Sequence, residues 1–337
     1  MRPKELMVFL QSAFTENETV LIKGKPGIGK SDIVSAAAKA VGANLMISHP
    51  VVSDPTDYKG LPFPGKEGVA HFQPFGDLYE LTQAKSLTIF FLDDLGQAPA
   101  SVQAAVMQLL LARRVNGHRV SDHVVFVAAT NRREDKAGVT GMLEPVKSRF
   151  SSIVELTVHT EDWVEWAFTH DMPSELISFI QFRPQLLEDF KPTNDMVNTP
   201  SPRTVAAVGR MQKKGFHKIG GEKDSLWHEI ISGAAGKGFA SEYMAFLHIY
   251  KDLPTIGQIV AHPETTPVPK EPSAQYALAG SLAERASVSN IGPIVKYLKR
   301  VPGEINVVFL KNASFSKPEI CGTEAYIDCA SANAYLF

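Results

Sequence analysis

The chain has 337 residues, 44% apolar and 21% charged, proportions of an ordinary globular protein that exclude a disordered or fibrous chain. Lys and Arg number 34 against 36 Asp and Glu, a net charge of −2 with a pI near 6.6, which excludes a global basic field that would gather nucleic acid or anionic membrane. At roughly 150 residues per domain the length predicts two domains, and the lack of any apolar run near the roughly 18 residues that span a bilayer, or of a signal-peptide core, predicts a cytoplasmic protein with no membrane insertion.

From the N-terminus, β-branched and aromatic runs bounded by turn residues predict five strands, at 19–23, 44–48, 87–92, 124–129 and 153–158. Between them, the alanine-rich stretch 31–41 and the stretch 99–113, where Val102, Val106, Leu109 and Leu110 recur at helical spacing, predict helices. Strands alternating with helices predict an α/β fold with a parallel sheet covered on both faces. After residue 158 helical patterns take over, at 161–169, 173–182 and 202–214. Prolines 263, 267, 269 and 272 then predict an extended linker or irregular arm, followed by helices at 273–286 and 291–300. The expected division is a nucleotide-binding domain at 1–158, a helical domain at 159–260, and a proline-rich linker with a C-terminal extension at 261–337. Cys321 and Cys329 match neither a CxxC pair nor a zinc knuckle and read as reduced thiols.

The strongest motif is Gly24-Lys25-Pro26-Gly27-Ile28-Gly29-Lys30-Ser31, which fits GxxxxGK[ST] between a predicted strand and a predicted helix. Its glycines let backbone N–H groups turn around phosphates, and the helix N-terminus, with Asp32 in its first turn, completes the cradle. Lys30 is placed to reach the β- and γ-phosphates of ATP and Ser31 to hold Mg2+. The strand at 87–92 ends in Asp93-Asp94, the site of a Walker B motif: Asp93 would position Mg2+ and Asp94 would orient or deprotonate the attacking water. Carboxylates capping the next helix are the competing reading. Asn131, after the strand at 124–129, is placed to bond the γ-phosphate or the lytic water, against an ordinary turn asparagine. Arg149 in Ser148-Arg149-Phe150 reads as an arginine finger, against a surface arginine paired with a carboxylate. Trp163, Trp166 and Phe168 read as helix core in preference to a base-stacking site.

These motifs, in this order, make the chain resemble the AAA+ ATPases. The stretch Asp54-Pro55-Thr56-Asp57-Tyr58-Lys59-Gly60-Leu61-Pro62, a Phe-containing segment to Gly76, Gln97-Ala98-Pro99-Ala100 and Gln103-Ala104-Ala105 are similar to the MoxR-like group. So are Ala128-Ala129-Thr130-Asn131 as sensor 1 and Ser201-Pro202-Arg203 as sensor 2, and the similarity covers about residues 1–210. The chain departs from the family at Asp94, where Glu is usual, and in the charged segment Arg132-Arg133-Glu134-Asp135-Lys136, which reads as an intersubunit surface or a solvated loop.

The resemblance implies a P-loop AAA+ core followed by a smaller helical lid, and a ring, commonly a hexamer, with nucleotide between neighbours. Arg149 would then act on the next subunit's ATP, and Arg203 would touch nucleotide. It also implies ATP hydrolysis spent on remodelling or maturing a protein partner, such as a von Willebrand factor A domain protein. A nucleic-acid motor or loader, weakened by the pI, and an ATP-binding scaffold with little hydrolysis, suggested by Asp94, are the alternatives. Residues 60–74 place Leu61-Pro62-Phe63-Pro64-Gly65 and Val69-Ala70-His71-Phe72 around the polar tip Lys66-Glu67-Gly68 and predict a hairpin. The resemblance places this hairpin near the pore or client face.

Overall fold

The computed structural model describes residues 1–65, 68–135, 141–193, 195–219 and 224–336, in two compact units, Met1–His159 and Thr160–Phe337. In the first, α1 (Pro3–Thr15) leads to β1 (Val20–Lys23), α2 (Lys30–Ala40) and β2 (Asn44–Ser48). Next come α3 (Pro55–Lys59), the hairpin β3 (Leu61–Pro64) and β4 (Ala70–Gln73), and α4 (Gly76–Gln83). Then follow β5 (Thr88–Leu92), α5 (Ala100–Ala112), a second hairpin β6 (Arg114–Val115) and β7 (His118–Arg119), β8 (Val124–Thr130), α6 (Glu144–Lys147) and β9 (Ser152–Glu155).

Strands β2, β5, β8, β1 and β9 form one parallel sheet in that order. This is the doubly covered α/β architecture that the strand–helix alternation predicts. Every residue of β5 and β8 is buried, whereas the edge strands β2 and β9 are partly exposed. Alternate residues of β8 serve opposite faces. Val125, Val127 and Ala129 pack with Leu6, Leu10 and Phe14 of α1 and Val34, Ala37 and Ala38 of α2, while Val124, Phe126 and Ala128 pack with Val102, Val106 and Leu109 of α5.

Helix α1 was not anticipated from the sequence. Its signals are Pro3 in the first turn, a Glu5 carboxylate accepting from the Arg2 backbone N–H at 3.0 Å, and an apolar stripe at Leu6, Leu10, Ala13 and Phe14. The last strand stops at Glu155, not at 158. Leu156 N still donates to Lys23 O at 2.9 Å, but Thr157 N turns to the carbonyl of Met1 at 3.0 Å, so the chain leaves the ladder there.

The hairpin expected at 60–74 is β3–β4, with Leu61 opposite Gln73 and Pro64 opposite Ala70. Lys66 and Glu67 of its tip lie outside the described residues. Phe63 and Phe72 are 50% and 40% exposed, so within this chain neither is buried at home. Pro62 and Pro64 remove donors from β3 and disfavour pairing with a further strand. The second hairpin, which sequence reasoning missed, is tied to the first region: Asn116 Nδ2 donates to Lys59 O and His118 Nε2 to Phe72 O, both at 2.7 Å.

The second unit is helical: α7 (Thr160–Thr169), α8 (Ser174–Phe182), α9 (Pro202–Lys213), α10 (Asp224–Ala235), α11 (Lys237–Lys251), α12 (Ile256–Ala261), α13 (Pro272–Arg285), α14 (Ile291–Leu298), α15 (Gly303–Ser316) and α16 (Glu324–Ala332). Helix α13 packs against α8, α11 and α15, and Phe179 meets Phe239, Tyr243 and Phe246 in an aromatic core. The proline-bearing arm between α12 and α13 is anchored. Arg300 donates to Pro263 O and Thr266 O, and Tyr297 to Pro267 O. Trp163 is buried, and Phe168 stacks on Phe315 of α15, which places both rings in helix packing. No helix among the described residues is long and apolar enough to cross a membrane.

Candidate nucleotide site

Because the sheet is parallel, the carboxyl ends of β1, β5 and β8 lie along one edge, where ligands of such sheets bind. The segment from Gly24 to Ser31 joins β1 to α2 at this edge. A Cβ at Gly24 would lie 2.9 Å from Leu156 O and 2.6 Å from Ile28 Cδ1, so only glycine fits. Gly27 and Gly29 hold φ of 75° and 95°, a conformation that turns the backbone and costs other residues. Ile28 plugs into the core, while Lys25 and Pro26 form the outer part of the turn. Helix α2 starts at Lys30 without a side-chain cap, which leaves its first N–H groups for an anion.

The Lys30 side chain is buried, and its Nζ donates to Gly24 O at 3.0 Å, Lys25 O at 2.9 Å and Asn131 Oδ1 at 2.7 Å. Ser31 Oγ donates to Asp93 Oδ2 at 2.7 Å. Asp94 N donates to Asp93 Oδ1 at 3.1 Å, and Asp94 itself sits at φ 56°, in the left-handed region. Asn131 Nδ2 reaches Asp94 Oδ1 at 3.3 Å. Thus Lys30, Ser31, Asp93, Asp94 and Asn131, scattered over 102 positions, form one connected cluster. The adjacent hydroxyl and carboxylate of Ser31 and Asp93 are hard oxygen donors of the kind that suits Mg2+.

Asp32 is exposed in the first turn of α2, outside this cluster. Arg149 follows α6 and makes no hydrogen bond to the cluster among the described residues; its Nε is buried without a partner. Arg203 belongs to the second unit, exposed in the first turn of α9, which Ser201 and Thr204 cap reciprocally.

Two features escaped sequence reasoning. Gln97 Nε2 donates to Asp94 Oδ1 at 2.8 Å. In addition, Arg132 forms a fork to Asp135 at 2.7 and 2.9 Å and reaches Glu155 at 3.3 Å, while Lys23 pairs with Glu155 at 2.9 Å. The Lys23 hydrogen bond, then that of Arg132, holds the Glu155 carboxyl below its usual range, and Asp135 pushes the Arg132 guanidinium higher still. Asp135 is buried, and with Arg132, Glu155 and Lys23 it forms a brace joining the ends of β8, β9 and β1. Arg133 and Glu134 are exposed, and Lys136 lies outside the described residues.

A family described as ATPase family associated with various cellular activities (AAA) matches residues 20–158. Among solved structures, the chain is similar to a point variant of RuvB from Thermotoga maritima, with 16% identity, 83% of this chain and 80% of that one covered, and a TM-score of 0.45. A second similar structure is the T. maritima RuvB Holliday junction branch migration motor, at 16% identity, the same coverage and a TM-score of 0.43. No curated protein matches the sequence. The family match covers residues 20–158, within the α/β unit, and a helical unit follows.

Proposed function

We propose that this chain is a MoxR-like AAA+ ATPase that assembles into a ring, commonly hexameric in that group, and spends ATP hydrolysis on remodelling or maturing a protein partner in the cytoplasm. The observation that carries the ATPase reading is the single cluster joining Lys30, Ser31, Asp93, Asp94 and Asn131 at the sheet edge. In this reading Gly24 to Ser31 bind the phosphates of the substrate ATP, with Lys30 on the β- and γ-oxygens. Ser31 and Asp93 hold Mg2+, which when bound neutralises charge on the phosphates. Asp94 takes the hydrogen of the attacking water and Asn131 orients that water or the γ-phosphate. Arg149, whose hydrogen bonds do not reach its own P-loop cluster, acts on the ATP of the next subunit, and Arg203 contacts nucleotide.

Residues 159–260 are the lid in this reading, and residues 261–337 are an extension that packs on it through α13. The exposed Leu61, Phe63, Val69 and Phe72 of the first hairpin support a surface that meets a partner. A von Willebrand factor A domain protein is the partner of choice, on the strength of the group resemblance alone.

Phosphate release from ATP and Mg2+ tests the enzyme. Size-exclusion with light scattering, with and without nucleotide, tests the ring. Capture of proteins by the ATP-loaded Asp94→Asn chain tests the client. A rate raised by DNA but by no captured protein would replace this reading with a nucleic-acid motor.

A further inference from the structure

Asp94 carries three constraints. Its backbone is left-handed at φ 56°, where a residue with a side chain is seldom found. Its carbonyl accepts from Gln97 N at 3.0 Å, closing a single 3-10 turn over Leu95–Gln97. Its Oδ1 accepts from two amides, Gln97 Nε2 at 2.8 Å and Asn131 Nδ2 at 3.3 Å, while Oδ2 has no hydrogen bond among the described residues.

The orientation of the Gln97 amide follows from chemistry, since a carboxylate only accepts and the nitrogen must face it. That choice leaves Gln97 Oε1 buried without a hydrogen-bond partner among the described residues. Buried acceptors in this state are uncommon and call for an explanation, which here is the carboxylate that fixes the amide.

We propose that Gln97 is a positioning residue for hydrolysis. By donating to Oδ1 together with Asn131, it commits that oxygen and leaves Oδ2 for the water. In the step so arranged, the water oxygen bonds to the γ-phosphorus. The bond from that phosphorus to the β–γ bridging oxygen breaks with its electron pair leaving on ADP, and the water's proton passes to Asp94 Oδ2 and then to the phosphate released. Asp94 is one methylene shorter than glutamate, so its reach depends more on how its two oxygens are aimed, and Gln97 sets the aim. The inference rests on the ATPase reading above.

Steady-state ATP hydrolysis by the full chain, measured with Mg2+ from pH 5.5 to 8.5, tests it. Gln97→Leu keeps the bulk and removes the donor; kcat falls about 10- to 100-fold while KM for ATP stays within about twofold, the pattern of a group acting on the transition state alone. Gln97→Glu supplies the discriminating readout. Burial and the Asp94 carboxylate hold the introduced carboxyl group above its ordinary value of about 4.3, so toward the acid end it is increasingly protonated and donates as the amide does. As pH rises it ionises within hydrogen-bond distance of Asp94, and two carboxylates repel. The ratio of kcat for Gln97→Glu to that of the parent therefore falls as pH rises. A pH profile parallel to the parent's, or a kcat unchanged or raised in Gln97→Leu, overturns the inference. Lys30→Ala is the control. If it is inactive while both Gln97 variants match the parent, only this inference fails; if the parent does not hydrolyse ATP, or Lys30→Ala turns over as fast, the ATPase reading fails with it.

Discussion

Lys30 and Asn131 stand 101 residues apart in sequence and are joined by a 2.7 Å hydrogen bond from Nζ to Oδ1. The bond links the turn between β1 and α2 to the end of β8, and Asn131 passes the link on to Asp94. Removing Lys30 takes away the anchor of Asn131 and, in the proposed reading, a cation for the phosphates. Lys30→Ala is expected to abolish turnover and to weaken nucleotide binding at least tenfold, read by phosphate release and by calorimetric titration with a non-hydrolysable ATP analogue. Parent-like turnover would remove the assignment of the P-loop.

Asp94 has a short side chain held by two amides. Asp94→Asn keeps the size and loses the acceptor that takes the proton, so ATP should bind and persist unhydrolysed. Asp94→Glu extends the carboxylate by one methylene and is expected to maintain or raise kcat. A Glu variant as inactive as the Asn variant would show that the site is built around the shorter group.

Arg149 makes no hydrogen bond to the P-loop cluster among the described residues, which suits action on a neighbour. Arg149→Ala is expected to leave nucleotide affinity roughly intact and to cut kcat by about 1,000-fold, the scale of arginine fingers. Mixing it with Lys30→Ala should restore some turnover, because a mixed ring pairs an intact P-loop with an intact arginine. Proof of subunit exchange with no recovery of activity would confine Arg149 to its own subunit.

Glu175 in α8 has its carboxyl pushed up, chiefly by burial and to a lesser degree by Glu284, against a backbone N–H whose opposing effect exceeds that of Glu284 and weaker effects of Arg285 and His217. A carboxyl whose folded pKa lies above its unfolded value costs stability as pH rises from the unfolded pKa, about 4.3, through the folded one. Glu175→Gln is therefore expected to raise the urea midpoint at pH 7, with the advantage vanishing below about pH 4. Trp163, Trp166 and Trp227 all lie in the helical unit, so tryptophan fluorescence reports this transition directly. A midpoint difference independent of pH would assign the effect to packing.

Gly280 of α13 faces α8, and a Cβ there would fall 1.8 Å from Ser178 Oγ and 3.1 Å from Ser178 Cβ. Alanine would ordinarily favour the helix by up to about 1 kcal/mol, but overpacking costs about 1–3 kcal/mol. Gly280→Ala is expected to be net destabilising in the same fluorescence assay, and Ser178→Ala in that background should recover part of the loss by removing Oγ. A Gly280→Ala chain as stable as the parent would mean that α8 and α13 separate at little cost.

The five core strands, the glycine-bearing turn from Gly24 to Ser31 and the paired carboxylates at the end of β5 were legible because each is written in contiguous residues. Buried parallel strands demand unbroken apolar runs, as in residues 89–92, and the turn after β1 demands glycine where Gly24 meets Leu156 O and where Gly27 and Gly29 turn left-handed. The hairpin at 61–73 was legible for the same reason, its apolar arms flanking a glycine-bearing turn. What only the tertiary structure decided is which groups meet across distant strands. Nothing local to Arg132 announces Glu155, because that pairing exists only once β1 brings β8 and β9 to its two sides. The amide of Gln97 became meaningful only when Asp94 adopted φ 56° and a 3-10 turn aimed both side chains at each other. Short-range sequence patterns encode elements because backbone conformation and burial are set residue by residue, whereas the chemistry of this site depends on side chains that only the completed sheet brings within hydrogen-bond distance.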